Sequence, residues 1–374
     1  MDDGGEAARL QFEHPACPIR LRDPGPQRCR EGRPGTRLLC EPLLTGPGTA
    51  ETVAQSIAAR PGCAAFHSCV AASDSAMPNP LIALDWGTTR ARAFLISETG
   101  EVLERRIADR GIQSVPAGGY PEAFAELAGD FRKDAPDAAI VLAGMVGSRN
   151  GWIEARYVAC PASPADIAAA AIKVELDDAT SATILPGLSC DDGAFDVMRG
   201  EETLIVGLGL GDGIACLPGT HSKWAEIRQG RITRFASFMT GEIYGLLRND
   251  SILARLAEAP SEADTADGAA RGRAAAGRPG GLLSTAFAAR TEVLAGRMAG
   301  GAVGPYLSAL LVGQEIAGAE ALFGKGQTIH LVADGALAES YGAGLQARGH
   351  ATQLVSPEAA FVAGVRRLAA DLPA

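Results

Sequence analysis

The sequence predicts an α/β protein built from two similar halves. From residue 81 to the C-terminus, short apolar strands alternate with segments of helical apolar spacing. Ile82-Ala83-x-x-x-Gly87-Thr88 also returns 132 residues later as Ile214-Ala215-x-x-x-Gly219-Thr220. Each copy closes an apolar strand and leads through a glycine-containing turn into another strand, so one chain reads as two related units.

The elements follow in order. Residues 1–76 are crowded with Pro, Gly and Arg (GPQRCREGRPG), contain no Lys and show no sustained periodicity. Residues 1–78 are therefore expected to be a disordered extension, or sequence upstream of a true start at Met77. Strands at 81–85, 91–97 and 102–109 form an antiparallel meander, the last pair joined by Glu98-Thr99-Gly100-Glu101. A helix is expected at 121–132, a buried strand at 138–144, a helix at 197–210 and a buried strand at 213–218. A hairpin crosses Gln229-Gly230, and helical spacing recurs at 240–249, 283–298 and 305–323. A strand at 328–333 and helices at 337–348 and 357–370 complete the chain. The low-complexity piece 260–281 (PSEADTADGAARGRAAAGRPGG) reads as a flexible insertion. The two lobes are expected at 79–210 and 211–374.

Composition narrows the function. The chain has 374 residues, 34 Lys plus Arg against 44 Asp plus Glu, a net charge of −10 and 47% hydrophobic residues. That is enough apolar material for two packed domains. The acidic balance argues against duplex nucleic acid or an anionic membrane as partner, since either demands a positive surface. No run of about 18 apolar residues occurs, and MDDGGE lacks the basic-then-apolar order of a secretory signal, so a cytoplasmic protein is expected. Five of the eight cysteines precede residue 77, with no C-x-x-C pair, which indicates neither zinc nor a disulfide framework. Cys160, Cys190 and Cys216 read as core thiols.

Glycine at a turn lets the backbone approach a ligand, and successive N–H groups there suit phosphate oxygens. Two such turns facing each other would clamp a triphosphate. In the first, Asp85 ends a strand beside Gly87-Thr88-Thr89, where a carboxylate holds hydrated Mg²⁺ or merely caps the turn. Lys223, in Pro218-Gly219-Thr220-His221-Ser222-Lys223, neutralises phosphate or lies at a strand edge. Asp196, ahead of Arg199, Gly200, Glu201 and Glu202, is an N-cap or a general base for a hydroxyl, with Arg199 holding an anionic substrate group. The loop at 144–152 follows a buried strand; its Ser148, Arg149 and Trp152 are the types that bind a sugar acid, or they form a solvent loop. No G-x-x-x-x-G-K-[ST] and no G-x-S-x-G is present.

Six segments in order, LDWGTTRARAFL, AGMVGSRNGW, FDVMRGEET, LPGTHSKW, SFMTGEIYGLL and ALLVGQEI, resemble the 2-dehydro-3-deoxygalactonokinase family, within the superfamily of sugar kinases, actin and heat-shock chaperone ATPases. The resemblance implies a duplicated ribonuclease-H-like (actin-like ATPase) fold with the active site in a cleft between two lobes. It implies ATP and Mg²⁺ as cofactors, Asp85 to Thr89 as the first phosphate loop with Asp85 on Mg²⁺ through water, and Gly219-Thr220 as the second. Gly335 would lie in the adenosine loop, although Asp334 stands where that loop often has another glycine. Asp196, 23 residues before Gly219, becomes the expected base. The implied reaction is phosphorylation of 2-dehydro-3-deoxy-D-galactonate at its 6-hydroxyl. An actin-like switch or filament protein, or a silent sugar-acid sensor, is the alternative. The expected partners are a sugar acid and ATP, with a homodimer left open.

Overall fold

The computed structural model describes residues 79–177 and 180–373; the expected extension at 1–78 lies outside the described residues. Strand β1 (Leu81–Trp86) pairs antiparallel with β2 (Ala91–Ile96), and β2 pairs with β3 (Val102–Ala108). Helices α1 (Tyr120–Ala128) and α2 (Phe131–Asp134) return the chain to β4 (Ala139–Ala143), parallel to β1. After β5 (Val158–Ala159) and α3 (Pro164–Ala169), strands β6 (Ile172–Asp177) and β7 (Thr180–Ile184) complete a sheet of order β3-β2-β1-β4-β7-β6. Strands β8 (Leu188–Asp191) and β9 (Phe195–Met198) join β5 in a small sheet, and α4 (Glu201–Gly207) follows.

The second half repeats the plan. Strand β10 (Gly213–Leu217) pairs antiparallel with β11 (Ser222–Arg228), which pairs with β12 (Arg231–Phe238). Helices α5 (Thr240–Asn249), α6 (Glu262–Ala276), α7 (Gly281–Leu294) and α8 (Val303–Phe323) precede β13 (Ile329–Val332), parallel to β10. Then come α9 (Gly335–Ala347), β14 (Thr352–Val355) and α10 (Pro357–Ala370), giving the order β12-β11-β10-β13-β14. The antiparallel meander and parallel neighbour of β1 recur around β10, and the two Ile-Ala pairs occupy these corresponding strands. This is the duplicated ribonuclease-H-like fold.

Strand alternation decides which side chains face the shared core. Leu81 and Ala83 join a buried cluster with Ala215, Leu217, Ala225 and Ile227, whereas Ile82, Leu84 and Trp86 pack outward with α1. On β10 and β11, Ile214, Cys216 and Trp224 face outward toward α8 and α9. By the same period, Asp85 emerges on the face of Leu81 and Ala83, and Lys223 on the face of Ala225 and Ile227. Both polar residues thus stand at the ends of strands on the two inner faces.

Two expectations need correction. Residues 197–210 are not one helix: β9 ends at Met198, and Gly200, at φ +107°, starts α4 afresh. Asp196 consequently lies on a strand. Segment 260–281 is not a flexible loop, because α6 spans most of it, opened by a capping box between Ser261 and Asp264. Gly268 and Gly272 let α6 lie against α8; an added Cβ would stand 2.3 Å from Ala302 O and 2.2 Å from Tyr306 O respectively. The C-terminal helix α10 also leaves the second half, packing on α4 and bringing Phe361 within 5.4 Å of Phe94. The Gln229-Gly230 hairpin forms as expected, with both residues at positive φ. Cys160, Cys190 and Cys216 are free thiols, the last two buried.

Candidate active site

The first glycine turn is held from behind. The carbonyls of Gly87, Thr88 and Thr89 accept hydrogen bonds from Ile112 N (3.0 Å), Gln113 N (3.2 Å) and Gly111 N (3.0 Å). In a trans peptide the N–H opposes the preceding carbonyl, so the amides of Thr88, Thr89 and Arg90 point away from residues 111–113. Gly111 permits this close approach, since a Cβ there would lie 2.3 Å from Thr88 O. Thr88 and Thr89 are exposed.

The second turn is braced by α5. Thr220 O accepts from Glu242 N at 3.0 Å, and a Cβ on Gly241 would stand 2.4 Å from Gly219 O. The amide of His221 therefore points away from α5. The His221 imidazole pairs with the Glu242 carboxylate. Gly335, at φ +51°, opens α9 with free space around its Cα.

Asp85 pairs with Arg92, and Lys223 pairs with Glu201. Arg92 Nη1 donates to Asp85 Oδ2 at 3.0 Å. Burial pushes the Asp85 carboxyl up, Arg92 pulls it back, and the Glu201 charge adds to the upward push. Gly144 makes room between them: a Cβ on it would lie 3.4 Å from Asp85 Oδ1, and one on Gly200 would lie 3.3 Å from Gly144 Cα. Lys223, 5% exposed, places Nζ 3.6 Å from Glu201 Oε1 and donates to His221 O at 3.2 Å. Glu201 Oε2 accepts from Arg199 N at 3.0 Å. Its neighbour Glu202 is fully buried, takes Gly200 N on both oxygens (2.9 and 2.8 Å), and is pushed up to about 8 by burial.

The expected substrate residues separate into two groups. Arg199 and Ser148 lie together beside Gly147, where an added Cβ would stand 3.1 Å from Arg199 Nη1. Arg199 Nη2 donates to Ala155 O at 2.8 Å, and the guanidinium lies 4.3 Å over the Tyr157 ring. Arg199 Nε and Nη1 and Ser148 Oγ are buried without a protein partner. Unpaired donors of this kind cost about 1–3 kcal/mol each unless a ligand or water takes them. Arg149 is exposed. Trp152 stacks on Tyr120 at 5.6 Å and 8°, against the core of the first half.

Asp196 is bound to Ser237 and to its own neighbour Val197. Its Oδ2 accepts from Ser237 N at 2.6 Å, and its Oδ1 from Ser237 Oγ at 2.8 Å and Val197 N at 2.7 Å. The carboxylate ties β9 to β12. Glu201, not among the expected site residues, is the carboxylate paired with Lys223.

Comparison with known proteins identifies the lineage. The family model of 2-keto-3-deoxy-galactonokinase matches residues 85–368. DgoK1 of Rhizobium meliloti (strain 1021), assigned as a 2-dehydro-3-deoxygalactonokinase, is 36% identical over 295 residues, covering 76% of this chain and 94% of its own. The 2-dehydro-3-deoxygalactonokinase of Escherichia coli (strain K12) is 32% identical over 291 residues, covering 77% and 97%. A crystal structure assigned to the same activity, from Sinorhizobium meliloti, superposes with a TM-score of 0.69 at 33% identity, covering 77% of this chain and 98% of that one. With its six motifs placed on a duplicated fold, the chain belongs to the 2-keto-3-deoxy-galactonokinase family and is a kinase that phosphorylates an alcohol group.

Proposed function

We propose that the chain transfers the γ-phosphoryl group of MgATP to the 6-hydroxyl of 2-dehydro-3-deoxy-D-galactonate. The observation that supports this most is the pairing of Lys223, from the second glycine turn, with Glu201, on a segment whose Gly200 packs against Gly144 beside Asp85 of the first. Phosphoryl transfer needs chiefly positioning and charge stabilisation, which two amide-bearing turns and a buried lysine supply.

The outward amides of Thr88, Thr89 and His221 donate to phosphate oxygens, and Lys223 offsets their charge. Gly335 leaves room for the adenosine beside α9. Among the described residues no group of three or more His, Cys, Asp or Glu is placed to hold a metal ion. Asp85, with Oδ2 taken by Arg92, offers one carboxylate oxygen, which fits a cation that arrives with a triphosphate and keeps most of its waters. Asp85 would hold Mg²⁺ through water, and the ion would neutralise charge on the β- and γ-phosphate oxygens.

Arg199 and Ser148, with their buried unpaired donors, take the sugar-acid carboxylate. Arg149 lies at the exposed side of the same loop, and Trp152, one face covered by Tyr120, forms an apolar wall. The proton of the attacking hydroxyl goes to a carboxylate on the β9–α4 segment. Asp196 was the expected acceptor, but its three hydrogen bonds tie it to Ser237 and Val197, whereas Glu201 pairs with Lys223 beside the second glycine turn, so we assign the proton to Glu201.

An ADP-release assay over a panel of 2-keto-3-deoxy acids, with product mass measured, tests the proposal. The expected result is ADP formed stoichiometrically with a phosphorylated six-carbon acid. Sugar-acid binding without product, or nucleotide-driven polymerisation without turnover, would overturn it.

A further inference from the structure

Building on the kinase reading, we propose that Glu315, buried in α8, is a positioning residue for the nucleotide: it locks the second glycine turn, α5 and α9 into one hydrogen-bonded unit. Glu315 touches none of the residues assigned to the sugar acid, and it is only 3% exposed.

The hydrogen bonds run in one direction. Gly219 N donates to Ser222 Oγ at 3.4 Å, Ser222 Oγ lies 2.9 Å from Tyr341 Oη, and Tyr341 Oη donates to Glu315 Oε2 at 2.6 Å. Because the tyrosine hydroxyl gives its hydrogen to the carboxylate, the serine hydroxyl gives its own to the tyrosine, which leaves the serine oxygen to accept from Gly219. Trp224 Nε1 donates to Glu315 Oε1 at 2.8 Å. Thr240, the first residue of α5, also draws the same carboxyl down through its side chain.

Each branch ends on an element of the proposed nucleotide site. Ser222 and Trp224 follow the second glycine turn on β11, on its outward face. Thr240 precedes Gly241, which packs closely on Gly219 O, and Glu242, whose N–H holds the carbonyl of Thr220. Tyr341 belongs to α9, which begins at Gly335. With Gly219 N–H drawn inward and Thr220 O held by α5, the turn is restricted in how it presents its remaining amides.

The energetics argue that this acid has a purpose. Burial pushes the Glu315 carboxyl up, while Thr240, Tyr341 and Trp224 draw it down. A buried carboxylate needs every one of those donors to offset its desolvation, and an apolar side chain of like volume would fill the site at lower cost. What an apolar residue cannot do is fix the direction of a hydrogen-bond chain that ends on a loop amide.

The test uses the full chain, measuring affinity for a non-hydrolysable ATP analogue by calorimetry and KM for the sugar acid by ADP release. Glu315→Ala is expected to weaken nucleotide binding by about tenfold or more, and Tyr341→Phe by about threefold, as the loss of such hydrogen bonds converts to affinity. Sugar-acid KM should stay within about twofold in both. Glu315→Gln, which keeps an acceptor oxygen, should recover part of the affinity. Glu320→Gln, on the same helix but bonded to Arg348, serves as a control for destabilisation alone and should leave both constants unchanged. If Glu315→Ala does not fold, Tyr341→Phe decides, since it removes a single hydroxyl. Unchanged nucleotide affinity in folded variants, or both constants rising together, would overturn the role. Wild-type protein that fails to bind the analogue would instead overturn the kinase mechanism, and this role with it.

Discussion

Lys223 Nζ stands 3.6 Å from Glu201 Oε1, an ion pair between a strand of the second sheet and the helix that links the two halves. It brings a buried cation and a carboxylate together beside the second glycine turn. Glu201→Gln should lower kcat by about 10²–10⁴-fold with KM for ATP changed only severalfold, as loss of a general base does. Steady-state kinetics with both substrates varied would show it; full kcat in the variant would place the proton acceptor elsewhere.

Asp196 and Ser237 form a different kind of contact, a two-point clasp between β9 and β12. Asp196→Asn keeps the shape but cannot accept at both oxygens. Stability should fall by about 1–3 kcal/mol, with kcat reduced by less than about tenfold. A thermal melt beside a rate measurement separates the cases. A large drop in kcat at unchanged Tm would return the base to Asp196.

Arg199 presents buried donors without protein partners, whereas Arg149 is exposed. Arg199→Met should raise sugar-acid KM by about tenfold or more and leave KM for ATP near its starting value, the pattern of a lost ground-state contact. Arg149→Ala should have the smaller effect. The reverse ranking would move the carboxylate to the exposed arginine.

The acid limb of stability should report Glu320. Arg348, with Nε 2.8 Å from Oε1, is the main cause that holds this carboxyl down from 4.5 to about 2; His350 at 2.9 Å and Lys325 at 3.0 Å assist. The folded value lies below the unfolded one, so the unfolded chain binds the extra proton between them. The stabilisation is therefore complete above about pH 4.5 and is lost as pH falls toward about 2. Glu320→Gln should cost about 2–3 kcal/mol near pH 7 and progressively less below about pH 4 in urea unfolding. A gap independent of pH would show that packing, not charge, holds α8 to α9.

Much of this architecture is written in local patterns. The two Ile-Ala and Gly-Thr copies are visible because a central strand and its closing turn need the same residues in both halves. Strand alternation likewise places Asp85 and Lys223 inward. Other features depend on partners far along the chain. Glu201 looks like an ordinary first-turn acid, since any helix start favours one; only Lys223, 22 residues on, singles it out. Asp196 resembles a helix cap until Gly200 is seen to break the segment. Helix α6 was hidden by its low-complexity composition, although the Ser261–Asp264 capping box was present to be read. Glu315 is an acid in a largely apolar helix, and its donors Trp224 and Tyr341 stand 91 and 26 residues away in sequence.

The central claim is that both glycine turns grip one nucleotide tail beside Glu201. A crystal structure of the full chain with a non-hydrolysable ATP analogue and Mg²⁺ tests it most directly. The account predicts phosphate oxygens within hydrogen-bond distance of the Thr88–Thr89 amides on one side and the His221 amide and Lys223 on the other. A triphosphate bound at one turn alone, or away from Glu201, would contradict it.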